Sequence, residues 1–169
     1  MLDKKHIHNI IRVDHAGEYG AKRIYEGQID FIKNPAMKMQ IKEMLEHELE
    51  HLEYFENKIK TDHIRPTILL PFWHVAGYGL GAVTALLGDK MAMACTAAVE
   101  TVIESHYQKQ LDELAEGELK NSITKFQADE AHHKEIAIEE KALEAPLYGV
   151  FAKLIKTGSK TAIWLSERF

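Results

Sequence analysis

The chain reads as all-α: a four-helix bundle built from two repeated helix hairpins, with an apolar interfacial segment and an extra C-terminal helix. Three observations predict this. Glu18, Glu48 and His51 recur as Glu100, Glu130 and His133, every member displaced by the same 82 positions, and an internal repeat decides architecture before any single motif does. Apolar residues at helical spacing fill the sequence around each set, and a helix breaker bisects each one, Pro35 in the first and Gly117 in the second. Between the copies, residues 67–88 contain no Asp, Glu, Lys or Arg.

Global numbers bound the rest. A chain of 169 residues suits one domain, 1–169, with a sizeable core. A net charge of −5 gives no nucleic-acid footprint. Cys95 is the only cysteine, which excludes an intramolecular disulfide framework and any CxxC metal site. The opening residues lack the apolar run of a signal peptide and the Arg/Ser-rich character of a transit peptide, so a reducing bacterial interior is the expected compartment.

In chain order, hairpin one covers about 3–62. Ile7, Ile10, Ile11, Ala21, Ile24 and Phe31 mark an amphipathic helix over about 3–33. Gly17 and Gly20 flank Glu18 within it, either for close helix packing or for room beside a metal or substrate. Asn34-Pro35 turns the chain, and Met44, Leu45, Leu52 and Phe55 continue the apolar face of a second helix over about 37–60. Glu46, Glu50, Glu53 and Glu56 read as its solvated side.

The charge-free segment 67–88 has the length of a membrane span but is interrupted by Pro71, Gly77, Gly79 and Gly81. A single crossing would also leave the two hairpins on opposite sides of the membrane. The segment therefore packs over the bundle or lies in one leaflet's interface, and its long apolar run favours the interface. Hairpin two covers about 89–144. Its first helix carries Ala94, Ala97, Ala98 and Val99 for close contact, with Cys95 as a small buried side chain. The second runs over about 119–143, and Ala145-Pro146 ends it. A C-terminal helix, 147–169, mixes Leu147, Val150, Leu154 and Trp164 with Lys153, Lys156 and Lys160, a composition suited to a membrane surface or substrate tunnel as well as to ordinary packing.

The repeat carries chemistry. Glu48 with His51, and Glu130 with His133, have i, i+3 spacing, so each pair leaves one helix face. In an antiparallel hairpin turning at Pro35, Glu18 and Glu48 stand at one height; Glu100 and Glu130 do so around Gly117. Two such hairpins aim four carboxylates and two imidazoles at one point, the known ligand pattern of di-iron and di-manganese carboxylate bundles. Oxygen and nitrogen donors without thiolate favour Fe or Mn over a structural zinc site. In that pattern Glu48 and Glu130 bridge the metals, while Glu18, His51, Glu100 and His133 are terminal. His132, at i+2 from Glu130, points elsewhere. Asp14 and Glu104, each one turn from a lone Glu, are candidates to support ligating imidazoles. His106 and Tyr107 fall near the site, Tyr107 chiefly as core.

Ile11-Arg12-Val13-Asp14-His15-Ala16-Gly17-Glu18-Tyr19-Gly20-Ala21, Arg65-Pro66-Thr67, Thr84-Ala85-Leu86-Leu87-Gly88, Met93-Ala94-Cys95-Thr96 and Leu165-Ser166-Glu167-Arg168 span nearly the whole chain. They resemble the demethoxyubiquinone hydroxylase family of ubiquinone biosynthesis, whose six ligand positions fall on Glu18, Glu48, His51, Glu100, Glu130 and His133. His132 stands where an acidic residue is expected. The resemblance implies a ferritin-like, O₂-dependent di-iron monooxygenase that hydroxylates a polyprenyl demethoxybenzoquinol. It also implies two Fe ions, NADH as electron donor, and a peripheral place on the cytoplasmic side of a bacterial cell membrane, with a lipid-binding accessory protein as a further partner. An iron-storage or peroxide-scavenging protein of the same fold is the alternative, and a non-enzymatic membrane scaffold a third. Neither uses every feature: storage needs no apolar 67–88 segment, and a scaffold needs no ligand set.

Overall fold

Local chemistry sets where the helices begin. In the computed structural model, which describes residues 3–169, the Asp3 carboxylate accepts a hydrogen bond from the His6 backbone N–H at 2.7 Å and starts α1 (Lys4–Phe31). Asn34 caps α2 (Pro35–Thr61) by accepting from the backbone N–H groups of Ala36 and Met37, with Pro35 in the first turn where its missing donor costs nothing. The remaining elements are α3 (Leu70–Leu86), α4 (Asp89–Glu113), α5 (Glu118–Glu139), a 3₁₀ turn (Ala142–Glu144) and α6 (Tyr148–Ser166). Among the described residues there is no strand. The architecture is the expected ferritin-like bundle: α1 pairs with α2 and α4 with α5, and α3 and α6 lie outside.

Two expected boundaries move. The α5 helix stops at Glu139 rather than continuing to about 143, because Lys141 takes a left-handed conformation (φ 67°) that breaks the hydrogen-bond ladder. Leu147 does the same (φ 54°), so α6 begins one residue later than expected and closes at Ser166.

The four bundle helices hold two apolar layers. One contains Tyr25, Ile41, Met44, Met93 and Ala137, the other Ile11, Phe55, Tyr107, Ile123 and Phe126. Each large side chain so buried contributes about 1.5–3 kcal/mol. On every helix the candidate ligands fall between a residue of one layer and a residue of the other, so the polar centre is walled off at both ends.

The 67–88 segment is not interrupted as its composition suggested. Pro71 sits in the first turn of α3, and the helix runs unbroken through Gly77, Gly79 and Gly81. The glycines allow contact instead of breaking the helix. A Cβ on Gly81 would overlap the Ile24 carbonyl oxygen, and one on Gly27 would overlap the Tyr78 carbonyl oxygen, so α3 lies against α1 at backbone distance. Phe72, Val75, Val83 and Leu86 remain on its outer side, with Val75 70% exposed. No helix among the described residues is long and apolar enough to cross a membrane. At 17 residues, α3 is about 26 Å long, against a hydrocarbon core of roughly 30 Å. The α6 helix packs on α4 through Cys95, Ala98, Val99, Ala152 and Ile155, and leaves Leu147, Val150 and Leu154 exposed.

Candidate metal centre

Glu18 comes from α1, Glu48 and His51 from α2, Glu100 from α4, and Glu130 and His133 from α5. All six are at most 1% exposed. They form two groups, Glu18, Glu48, His51 and Glu130, and Glu48, Glu100, Glu130 and His133, within each of which one ligand atom per residue lies within 4.8 Å of the others. The groups share Glu48 and Glu130, the two residues expected to bridge.

Charge dominates this centre. Burial pushes the Glu48 carboxyl well above the usual carboxylate range, and the neighbouring Glu130, Glu18 and Glu100 push it further. Burial, followed by Glu130, does the same to Glu100. Burial works against charge on His51 too, but the carboxylates of Glu130 and Glu18 outweigh it and raise the imidazole to about 11. Glu130 goes the other way: His133 and His51 overcome its burial and hold it down to about 2.

The residues present fit metal ions. Among the described residues, Glu18 Oε2, both Glu48 oxygens, Glu100 Oε2, Glu130 Oε1 and His51 Nδ1 are buried without a hydrogen-bond partner. Such atoms are costly in a protein interior. Asp14 Oδ2, His15 Nδ1, the Tyr54 hydroxyl and Gln110 Oε1 also lack a partner, but the six named atoms cluster on five of the candidate ligands, where cations would satisfy them and offset the clustered negative charge.

Hydrogen bonds exchanged between the hairpins fix the set. The Tyr25 hydroxyl donates to Glu100 at 2.6 Å, and the Tyr107 hydroxyl donates to Glu18, so each repeat's tyrosine holds the other repeat's lone Glu. Gln110 Nε2 donates to Asp14 Oδ1 at 2.7 Å, and Gln28 Nε2 donates to the Ala92 carbonyl at 3.0 Å and to Thr96 Oγ1 at 3.3 Å. His51 Nε2 lies 3.1 Å from Asp129 Oδ2, and His133 Nε2 lies 3.0 Å from His47 Nδ1.

Several expectations are corrected here. Glu104 is not beside a ligating imidazole; it pairs with Lys134. Asp14 is buried but meets Gln110 and, at 3.5 Å, His106 rather than His51. Tyr107 is more than core, since its hydroxyl reaches Glu18. His132 is exposed, as its spacing suggested. Sequence reasoning missed Asp129, His47 and the hydroxyl of Tyr25. The signal was available: 47 and 129 differ by the same 82 positions as the ligands, and each residue directly precedes a shared Glu.

On the other side of α1 lies an apolar cavity of about 280 Å³ between α1, α3, α4 and α6. Gly17, Gly20, Trp73, Leu80, Val99 and Ile103 are among its walls. A Cβ on Gly17 or Gly20 would meet nothing within 4 Å, so these glycines leave room and do not serve close packing. Val99 adjoins Glu100 in sequence, and Gly17 adjoins Glu18, so the cavity abuts both helices that carry a lone Glu.

The family described as "Ubiquinone biosynthesis protein COQ7" matches residues 5–166. The chain belongs to the COQ7 family. A COQ7 relative from Dictyostelium discoideum, named NADPH-dependent 3-demethoxyubiquinone 3-hydroxylase, mitochondrial, is 52% identical over 99% of this chain and 79% of its own length. One from Rhodospirillum rubrum, named 3-demethoxyubiquinol 3-hydroxylase, is 45% identical over 96% of this chain and 78% of its own. A Homo sapiens relative with the same name as the Dictyostelium protein is 43% identical over 99% and 80%. These names favour hydroxylation over the iron-storage alternative, and two of them specify NADPH where NADH was expected.

Proposed function

We propose that this chain is an O₂-dependent monooxygenase that hydroxylates the ring of a polyprenyl demethoxybenzoquinol in ubiquinone biosynthesis. The observation that carries the reading is the pair of buried four-residue groups sharing Glu48 and Glu130, in a chain whose relatives are named for this reaction. Glu18 and His51 would hold one iron ion and Glu100 and His133 the other, with Glu48 and Glu130 shared between them. When bound, the iron pair supplies O₂ activation and redox capacity. One oxygen atom of O₂ enters a ring C–H bond and the other leaves as water, with two electrons and one proton drawn as hydride from a reduced nicotinamide and the second proton from solvent.

The protein's own contribution is position and exclusion of water. Tyr25 and Tyr107 fix the carboxylates of Glu100 and Glu18. The apolar layers above and below keep bulk water from the centre. The cavity beside Gly17 and Gly20 offers the substrate an apolar berth, and Trp73, whose indole N–H donates to Ser166 Oγ at 3.1 Å, ties α3 to α6 at its wall. Exposed apolar side chains on α3 and α6 support a peripheral membrane position, from which a polyprenyl tail reaches the cavity without leaving lipid.

The test is direct. Iron-loaded protein incubated with ¹⁸O₂, a short-tailed demethoxyquinone and NADH or NADPH yields a product carrying one labelled oxygen. Nicotinamide oxidation without label in the ring contradicts the reading. For the membrane position, Val75→Glu with Leu154→Glu reduces cosedimentation with liposomes, and unchanged cosedimentation rejects it.

A further inference from the structure

The two halves of the centre match in their six candidate ligands but not in what stands behind the imidazoles. His51 presents Nδ1 to the centre, 3.3 Å from Glu130 and 3.5 Å from Glu18. Its other nitrogen, Nε2, faces Asp129 of the opposite hairpin at 3.1 Å. His133 presents Nδ1 in the same way, 3.2 Å from Glu130 and 3.3 Å from Glu48. Its Nε2 faces His47 of the opposite hairpin at 3.0 Å, with the two rings stacked 10° from parallel. The exchange is symmetric in position and unequal in chemistry, because one repeat places a carboxylate where the other places an imidazole.

A carboxylate accepts only, so the proton lies on His51 Nε2 and Asp129 pulls on it, which makes Nδ1 a stronger donor to a cation. An imidazole at this place, unlike a carboxylate, brings no negative charge to pull on the His133 ring. The inequality recurs one turn before each lone Glu: Asp14 precedes Glu18, whereas the matching position before Glu100 is Thr96. Both carboxyl groups therefore lie toward Glu18 and His51, whereas an imidazole and a hydroxyl stand at the matching places toward Glu100 and His133.

We infer that Asp129 and His47 are positioning residues that make the two metal positions unequal, the one at Glu18 and His51 binding a divalent ion more tightly than the one at Glu100 and His133. This rests on the two-metal reading above. The test is an anaerobic Fe(II) titration of the metal-free full chain, with folding checked by circular dichroism and the loaded samples recorded by ⁵⁷Fe Mössbauer spectroscopy. The expected wild-type result is two ions in two steps about 10–100-fold apart, the range by which such supporting groups change metal affinity, with two distinct quadrupole doublets. Asp129→Asn weakens the tighter step, His47→Asp strengthens the weaker one and draws the doublets together, and His47→Gln, which also brings no negative charge, leaves both steps in place. Two ions bound with one affinity and one doublet overturn the inference, as does a Gln variant that behaves like the Asp variant. A wild-type chain that binds no iron overturns the two-metal reading itself.

Discussion

Helix α1 separates two interiors of opposite character. On one face Glu18 joins three more carboxylates and two imidazoles, all buried. On the other, Gly17, Gly20, Ile24 and Gly27 meet an apolar cavity and a helix without a charged side chain. The first interior is fixed by chemistry: charges, hydrogen bonds exchanged across the repeat, and orphaned atoms that call for cations. The second is fixed by shape, through side chains that are absent. The first should fail when a charge is removed and the second when volume is added.

The largest effect expected is on the polar side. Glu130→Ala removes a carboxylate shared by both groups, so iron content, measured by elemental analysis, falls from two ions per chain toward none and hydroxylation is lost. A variant that keeps two ions contradicts the sharing. Next is the pH dependence of the metal-free chain. The Glu48 and Glu100 carboxyls are raised by burial, so they stabilise the fold only while protonated. That contribution is complete below the ordinary carboxylate pKa and is lost as pH rises through the raised values, while His51, near 11, stays charged throughout. Denaturant midpoints of metal-free protein therefore fall as pH rises from the ordinary carboxylate range through the raised values. Metal affinity rises over the same interval, because the ions displace those protons. Stability that climbs with pH in the absence of metal breaks this part of the comparison.

Two smaller effects test the apolar side. Gly81→Val drives a side chain into the Ile24 carbonyl and costs on the order of 1–3 kcal/mol or more in denaturant unfolding, with no direct effect on the ligands. Gly20→Ala meets open space and raises stability by about 0.4–1 kcal/mol. Gly20→Leu intrudes on the cavity, so it raises KM for the quinol while leaving two irons bound. A Gly20→Leu variant with unchanged KM removes the cavity from the substrate's path.

The same contrast explains what could be read in the chain. The four bundle helices, their turns at Pro35 and Gly117, and the convergence of Glu18, Glu48, His51, Glu100, Glu130 and His133 followed from one displacement and the i, i+3 rule, because charge at fixed spacing is a local signal. Asp129 and His47 were hidden among many acids and histidines, although the displacement marked them. Glu104 misled because its partner, Lys134, is 30 residues away and no spacing rule links them. On the apolar side, Pro71 and the glycines of α3 read as breaks, whereas the backbone they sit in is a continuous helix. Their purpose depends on Ile24 and Gly27 of another helix, which no local pattern in 67–88 contains.

Anomalous diffraction at the iron edge from crystals of the reconstituted chain addresses the whole account at once. The expected map holds two peaks per chain, each within coordinating distance of Glu48 and Glu130, one capped by Glu18 and His51 and the other by Glu100 and His133. A single peak, or peaks away from Glu48 and Glu130, would contradict it.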